Sequence, residues 1–453
     1  MYVWFISMTL VHNLLLQFEV GGLDLGRTSS IVISTGINLP LSGLLAVPYI
    51  FYILRLTRPD HVIQRVHAEN MSRIRMLTHP VMRRALKSPR IVARQQELLF
   101  DALNQLDDLL GYLSYKEPKG RIIRAIGSAM KLFAQLKPDI PGTFFQISEG
   151  ARDDISFKTL EDQFSVIEKS RTFYTQKGFR LLGNEYMRFL ERGSFELSTL
   201  CVVQVVEVGE AALRENDKPL VELTITRLNT LLRFGIKHGM RAMEIRNLYN
   251  AIDQYGKFIN AALSMGRIQY VERACNHLKT YGSEIYRISL KLPGFEFLVD
   301  VVAAEMRGVL ISMATADAPL DVQEQVLDLM LQLDNVPEID KKELQTTSIV
   351  YSRVRILQVS LALFYLKMGQ DVFARRIIED ILDDFPYLGE KLLRAALDET
   401  IGSLEQASPT FWEDTDRGNR NIYYSPDTEF LAVFREEFEE ALRKLRGQSK
   451  VPE

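Results

Sequence analysis

The chain has 453 residues and a formal net charge of -3, because 58 acidic residues outnumber 55 basic ones. It therefore lacks the positive excess that nonspecific binding of phosphate backbones requires, and we expect no nucleic-acid partner. Hydrophobic residues make up 47% of the chain, which is enough to bury a large core.

Two apolar runs near the N-terminus predict a transmembrane hairpin. The first covers about residues 2–18 and the second about residues 31–56, with a short polar connector between them. The second run is long enough to cross a bilayer, and the first is near the lower limit. No basic segment precedes the first run and no small-residue cleavage site follows it, which argues against a cleaved signal peptide. Because Asn38, Pro40 and Pro48 interrupt the second run, we expect it to pack against protein within the membrane.

A basic segment follows the second run and predicts the topology of the chain. Between Arg55 and Arg94 there are ten Lys or Arg residues but only two acidic ones. The residues that carry this signal nearest the membrane are Arg55, Arg58, Arg65, Arg73 and Arg75. By the positive-inside rule, this segment and everything after it are cytoplasmic, so we expect an integral protein of a bacterial inner membrane. Binding of RNA or of anionic lipid is an alternative role for the same charges, and lipid contact is compatible with the topology.

The rest of the chain has helical periodicity, which predicts an all-α fold. We expect four regions: the transmembrane hairpin at 1–58, a basic juxtamembrane helical region at 59–141, a helical repeat domain at 142–405, and an aromatic loop with a capping helix at 406–453. The sequence PDIPGT, residues 138–143, marks the second boundary. Phosphate-binding glycine loops, zinc-protease motifs and hydrolase nucleophile motifs are absent from the sequence, so we predict no enzymatic activity.

Three further segments have sequence patterns that bear on their secondary structure or on their contact with the membrane. The basic amphipathic segment Gly120–Pro138 is typical of a helix that lies on an anionic membrane or of an ordinary helix with one solvated face. Residues 156–176 predict a single helix. The β-branched run Leu200–Val208 suits a buried strand, but helical patterns on both sides favour a helix.

The segment Leu361–Pro386 predicts a helical hairpin. Gly369 ends one helix, and the small residues Ala362 and Ala374 allow two antiparallel helices to approach closely. This segment resembles a tetratricopeptide repeat, although Gln358 stands where that family has a tryptophan. The positions that match the family's pattern are Leu361, Ala362, Tyr365, Gly369, Ala374, Ile378, Ile381 and Pro386.

Similar hairpin turns occur earlier, at residues 215–218, 265–267 and 315–319. Their spacing is about 50 residues, longer than the roughly 34 of a standard tetratricopeptide repeat. We therefore predict an α-solenoid of long, tetratricopeptide-like helical hairpins on the cytoplasmic side of the membrane hairpin. Stacked hairpins of this kind commonly bind proteins.

The residue types that bind metals or carry redox chemistry are sparse. Cys201 and Cys275 lie in apolar patterns and predict buried, reduced thiols, although a disulfide between them remains an alternative. His238 and His277 have no partners at metal-ligand spacing. We therefore predict no metal and no cofactor.

The tail combines an aromatic loop with a final amphipathic helix. The loop surrounds the sequence DTDRGNRN, residues 414–421, which is similar to a calcium loop but lacks its ligand register and bidentate glutamate. We expect the loop to fasten itself onto the last hairpin, with contact to a partner as the alternative. Ser425 is predicted to cap the last helix, which closes the end of the solenoid.

Two functional hypotheses follow. The first is a membrane-anchored scaffold that binds or organises proteins at the cytoplasmic face of a bacterial inner membrane. The second is an accessory or structural subunit of a membrane channel, transporter or motor complex. In both, the expected partners are proteins, including another membrane protein or a second copy of this chain. The layout also resembles that of bacterial predicted membrane proteins of unknown function.

Overall fold

A computed structural model describes residues 58–158, 160–292, 294–334, 349–410 and 421–448. Throughout these ranges the regular structure is helical, which confirms the prediction of an all-α chain. The helices are α1 Pro59–Met76, α2 Pro80–Ala85, α3 Pro89–Tyr112, α4 Lys116–Leu136, α5 Glu149–Arg152, α6 Phe164–Ser170, α7 Phe173–Glu191, α8 Phe195–Arg214, α9 Lys218–Ala242, α10 Arg246–Ser264, α11 Ile268–Ser289, α12 Glu296–Thr315, α13 Leu320–Leu331, α14 Ile349–Lys367, α15 Asp371–Leu382, α16 Phe385–Gln406 and α17 Leu431–Gln448.

The predicted transmembrane hairpin, with helices at about 2–18 and 31–56, lies outside the described residues. Among the helices that are described, none combines the length and the apolar character needed to cross a bilayer. Contacts divide the chain into two units at Glu69 and Asn70, within α1. The boundaries predicted at residues 141 and 405 remain predictions. Apart from Arg58 and Arg65, the features below belong to the second unit.

Four consecutive helical hairpins form the body of the second unit: α8 with α9, α10 with α11, α12 with α13, and α14 with α15. In each hairpin a residue in the left-handed region stands two positions after the end of the first helix. These residues are Asn216, Gly266, Asp317 and Gly369, with φ of 55°, 67°, 49° and 67°. These four residues are 50, 51 and 52 positions apart. The predicted spacing of about 50 residues is therefore confirmed.

The same hydrogen bond closes all four turns. In each, the N–H of the residue after the left-handed one donates to the carbonyl five positions earlier, as from Asp217 to Ala212 at 2.9 Å and from Gln370 to Tyr365 at 2.9 Å. This bond satisfies a carbonyl that the end of a helix would otherwise leave free. The repeat is thus a backbone motif, and glycine occupies its strained position in only two of the four turns.

The hairpins pack into two layers. The first helices α8, α10, α12 and α14 stack on one another, and the second helices α9, α11, α13 and α15 cover them. Helices α4 and α7 extend the two layers in the N-terminal direction, while α16 and α17 pack on α14 and α15 at the other end. The final helix therefore lies where the predicted cap was expected.

Close approach between consecutive hairpins depends on Gly209 in α8. A Cβ placed on Gly209 would lie 2.5 Å from Cγ2 of Thr224 in α9 and 2.7 Å from Cε2 of Phe258 in α10. Both neighbours are fully buried. Only glycine fits at this position, because any side chain would force α8, α9 and α10 apart.

Helix α4 resolves the two alternatives for the basic amphipathic segment. Its apolar residues Ile122, Ile126, Met130 and Phe133 are fully buried, and the helix packs mainly against α8. The apolar face is covered by protein, so this is an ordinary helix with a solvated face. Residues 200–208 lie within α8, which confirms the helical interpretation of that run.

The single helix predicted over residues 156–176 is wrong. A short 3-10 turn, Glu161–Gln163, precedes α6, and α6 ends at Arg171, whose φ is 56°. The N–H of Thr172 then donates to the carbonyl of Ile167 at 3.2 Å, the same closing bond as in the hairpin turns. The sequence gives no sign of this break, because arginine rarely adopts the left-handed conformation.

The start of the last helix also differs from the prediction. Ser425 does not cap it; instead its Oγ accepts a hydrogen bond from the N–H of Asp427, at 3.4 Å. A 3-10 turn, Thr428–Phe430, follows, and α17 begins at Leu431. Phe434, Phe438 and Leu442 of the predicted apolar stripe are buried.

Candidate functional site

Four connections between helices lie at one edge of the array, which we call the Tyr115 edge. They join α3 to α4, α7 to α8, α9 to α10, and α11 to α12. Side chains link neighbouring connections: Nζ of Lys116 lies 3.3 Å from Oε2 of Glu196, and the guanidinium of Arg246 lies 5.3 Å from the ring centre of Phe195. These contacts join the starts of α4, α8 and α10 into one surface.

The Tyr115 edge continues to the start of α12, where the rings of Tyr249 and Phe297 stack with centroids 6.1 Å apart. Large apolar side chains are exposed along it: Tyr112 (85% exposed), Tyr115 (77%), Met240 (38%), Met243 (59%) and Leu290 (53%). Aromatic residues and methionine are the types enriched at protein interfaces.

The opposite edge differs over the same part of the array. Its hairpin turns at 215–217 and 265–267 expose no large apolar side chain, whereas the connection from α4 to α7 at that edge exposes Ile155 (71%) and Val166 (64%). Further along the chain that edge does expose Leu320, Met368 and Val372. Both edges therefore expose apolar side chains, and the Tyr115 edge is distinguished by two strongly exposed tyrosines, Tyr112 and Tyr115.

Charges on the Tyr115 edge largely neutralise one another. Nη2 of Arg241 lies 3.6 Å from Oε1 of Glu191, and Nη2 of Arg246 lies 2.9 Å from Oε2 of Glu244. Hydrogen bonds from Arg246 hold the pKa of Glu244 below its usual value. The exposed tyrosine and methionine side chains, and not unpaired charges, are therefore what characterises this surface.

The residues predicted to pack the last hairpin occupy α14, α15 and the start of α16. Those that are buried are Leu361, Ala362, Tyr365, Ala374, Ile378 and Ile381. The ring centre of Tyr365 lies 5.1 Å from that of Phe373, across the interface between α14 and α15. Gly369 adopts the left-handed conformation of the turn. Pro386 is exposed in the first turn of α16, where its missing N–H needs no partner.

Gln358, the departure from the tetratricopeptide pattern, is fully buried beside a charged cluster. At the centre of that cluster is Arg355. Its Nε lies 3.1 Å from Oδ2 of Asp334, its Nη2 lies 2.9 Å from Oδ2 of Asp384, and its Nη1 pairs with Asp380. Burial raises the pKa of Asp334 and of Asp380, and the positive charge of Arg355 opposes that rise. One arginine thus holds three carboxylates between α13, α14 and α15.

The basic segment after the predicted membrane hairpin is mostly exposed. Arg58, Arg65 and Arg75 face solvent, whereas Arg73 is half-buried and its Nη1 donates to the carbonyl of Leu98 at 2.9 Å. Arg55 lies outside the described residues. The role of these residues in topology remains a prediction.

The described part of the tail is fastened to the array. The hydroxyl of Tyr423 donates to Oδ2 of Asp300 at 2.7 Å, and Nη2 of Arg307 donates to the carbonyl of Ile422 at 2.8 Å. Burial raises the pKa of Asp300 to about 7, with Arg353 opposing the rise. Residues 422 and 423 are therefore attached to the array, but to α12 of the preceding hairpin and not to the last hairpin as predicted. The sequence similar to a calcium loop lies almost entirely outside the described residues.

Cys201 and Cys275 are free and fully buried, in agreement with the prediction. Burial raises the pKa of the Cys275 thiol to about 12, which makes it unreactive at neutral pH. Burial also lowers the pKa of His238 and of His277. In the described part of the chain, no group of three His, Cys, Asp or Glu residues is placed to hold a metal ion.

The Tyr115 edge and the charged cluster around Arg355 were not predicted from the sequence. The available signal for the edge was weak: Tyr112 and Tyr115 flank a break between two amphipathic helices, where exposed aromatic residues are unusual. The cluster had no local signal, because Arg355 and its carboxylates come from three separate segments of the chain.

Comparison with known proteins assigns no family. No protein-family model matches the chain, and no curated protein matches its sequence. One solved structure found by comparison is described as a circular tandem repeat protein with novel repeat topology and enhanced subunit contact surfaces. It is 13% identical, with a TM-score of 0.43, and the alignment covers 98% of this chain and 96% of that one.

Proposed function

We propose that this chain is a helical-repeat scaffold that binds partner proteins through the Tyr115 edge. The observation that carries the proposal is the row of exposed tyrosine, methionine and leucine side chains on an edge built from rigid helix ends. Tyrosine has only two side-chain torsions, so it offers a large contact area at a low cost in conformational entropy when a partner binds. The tetratricopeptide-like character of the hairpins supports the same class of function.

We further propose that the first 58 residues anchor this scaffold in a bacterial inner membrane, with the helical array in the cytoplasm. The support for this part is the sequence: two apolar runs followed by the basic segment. A binding role, without catalysis, agrees with the absence of catalytic motifs in the sequence.

Variants of the exposed side chains test the binding proposal. The test variant is Tyr112→Ser with Tyr115→Ser and Met243→Ser, and the matched control is Leu320→Ser, an equally exposed apolar residue on the opposite edge. Proteins that co-purify with the full chain from native membranes should fall at least about tenfold for the test variant, since central apolar anchors carry most of an interface's affinity. The control should retain them.

All four positions are exposed, so neither variant should lower the melting temperature. Equal recovery of the same proteins with the test variant and the wild type would refute the role of this edge. Exchange of residues 31–56 for an unrelated membrane anchor separates the scaffold from the subunit hypothesis: a scaffold keeps its function after the exchange, whereas a subunit that packs through this helix loses it.

A further inference from the structure

A cavity of about 270 Å³ lies between α7 and α9 of the second layer and α8 of the first layer. It is separate from the Tyr115 edge. Its lining residues are Leu160, Phe179, Arg180, Gly183, Asn184, Val205, Arg227, Thr230, Leu231 and Phe234. Two arginines therefore share one small space with mainly apolar walls.

Arg227, on α9, lacks the partners that a buried cation normally has. The side chain is half-buried and its Nε atom is completely buried, with no hydrogen-bond partner among the residues that the structure describes. Burial lowers the pKa of Arg227, and the positive charge of Arg180 lowers it further. No carboxylate among the described side chains forms an ion pair with it.

Arg180, on α7, supplies the second positive charge in the cavity. Its Nη1 donates to the carbonyl of Ser156 at 2.6 Å, which ties this side chain to the loop before α6. The two guanidinium groups come from neighbouring helices of the second layer, 47 positions apart in the chain.

Partial burial of a cation such as Arg227 is unfavourable unless an opposite charge accompanies it. A bound oxyanion would supply that charge, because guanidinium groups bind carboxylate and phosphate through paired, charge-assisted hydrogen bonds. Asn184 and Thr230 offer further hydrogen bonds, and Phe179, Leu231 and Phe234 offer an apolar wall. Polar groups that converge within an apolar cavity are typical of small-ligand sites.

We propose that this cavity binds a small organic oxyanion, a carboxylate or phosphate group that carries a compact apolar substituent, between Arg180 and Arg227. The inference does not depend on the proposed scaffold function, since the cavity and the Tyr115 edge share no residue.

Calorimetry on the full chain, purified in a nonionic detergent, tests the proposal with three probes: phenyl phosphate, benzoate and the neutral benzyl alcohol. At least one of the two anions should bind saturably and raise the melting temperature, and the alcohol should do neither. Preference between the anions identifies phosphate or carboxylate as the recognised group. Failure of both anions to bind would overturn the proposal.

Two variants locate the binding site, with Arg233→Met as the control because Arg233 is exposed on the same helix. Arg227→Met should weaken binding of the preferred anion at least tenfold, while Arg233→Met leaves it unchanged. Without the anion, Arg227→Met should melt at the same temperature as the wild type or higher, because it removes an unpaired buried charge. A merely structural arginine would instead give a lower melting temperature, and equal weakening in the control would place the anion elsewhere.

Gly183→Leu blocks the cavity with both arginines intact. A Cβ placed on Gly183 meets no atom within 4 Å, so a larger side chain can enter the open space. This variant should lose binding of the same anion at least tenfold. If Arg227→Met fails to fold, Gly183→Leu decides the question: full binding in that variant would contradict the assignment of the cavity.

Discussion

Replacement of Gly209 by alanine tests how closely the hairpins pack. The added Cβ would lie 2.5 Å from a methyl carbon of Thr224 and 2.7 Å from a ring carbon of Phe258, well inside contact distance. Overpacking of a core usually costs about 1–3 kcal/mol. Alanine also gains about 0.5–1 kcal/mol over glycine within a helix. We therefore expect Gly209→Ala to lower the free energy of unfolding by about 1 kcal/mol, the difference between the midpoints of these two effects.

The matched control is Gly183→Ala, which also replaces a glycine inside a helix. Its Cβ would meet no atom within 4 Å, so only the helix gain remains and stability should rise by about 0.5–1 kcal/mol. Urea denaturation of both variants, followed by far-UV circular dichroism, gives the comparison. If Gly209→Ala were as stable as Gly183→Ala, consecutive hairpins would not be packed as closely as described here.

Three further predictions concern the turns and the buried charges. Gly369→Ala should lose about 1 kcal/mol of stability in the same assay, because φ of 67° is unfavourable for a residue with a Cβ. Arg355→Met should lose about 3–5 kcal/mol, since three carboxylates would stay buried without a counter-charge; Arg376→Met, which breaks a largely exposed ion pair with Asp328, should lose under about 1 kcal/mol. Because the pKa of Asp300 rises from 3.8 to about 7 on folding, the folded chain holds a proton that the unfolded chain releases, and stability should fall as pH rises through that range. Asp300→Asn should reduce that slope, and an unchanged slope would contradict the role assigned to this carboxyl group.

The helical hairpins could be predicted from the sequence because their signals are local. Apolar residues at three- and four-residue steps mark each helix, and Gly266 and Gly369 mark two of the turns. Asn216 and Asp317 take the same backbone conformation and are the next most tolerant residue types after glycine. The spacing of about 50 residues follows from these positions alone.

The candidate sites could not be predicted because they depend on which helices become neighbours. Arg180 and Arg227 are separated by 47 positions, and in the sequence each resembles a charge on a solvated helix face. Their shared cavity exists only once α7 and α9 pack side by side. Arg171 shows a second limit: it ends α6 in a conformation that the choice of arginine does not signal.

The most direct test of the proposed function is site-specific photo-crosslinking of the full chain in cells. A photoreactive amino acid replaces Tyr115 on the Tyr115 edge in one strain and Ser264, exposed on the opposite edge, in another. The proposal predicts a discrete crosslinked protein from position 115 that is absent from position 264. Identical crosslinks from both positions, or none from position 115, would contradict the assignment of this edge as the partner-binding surface.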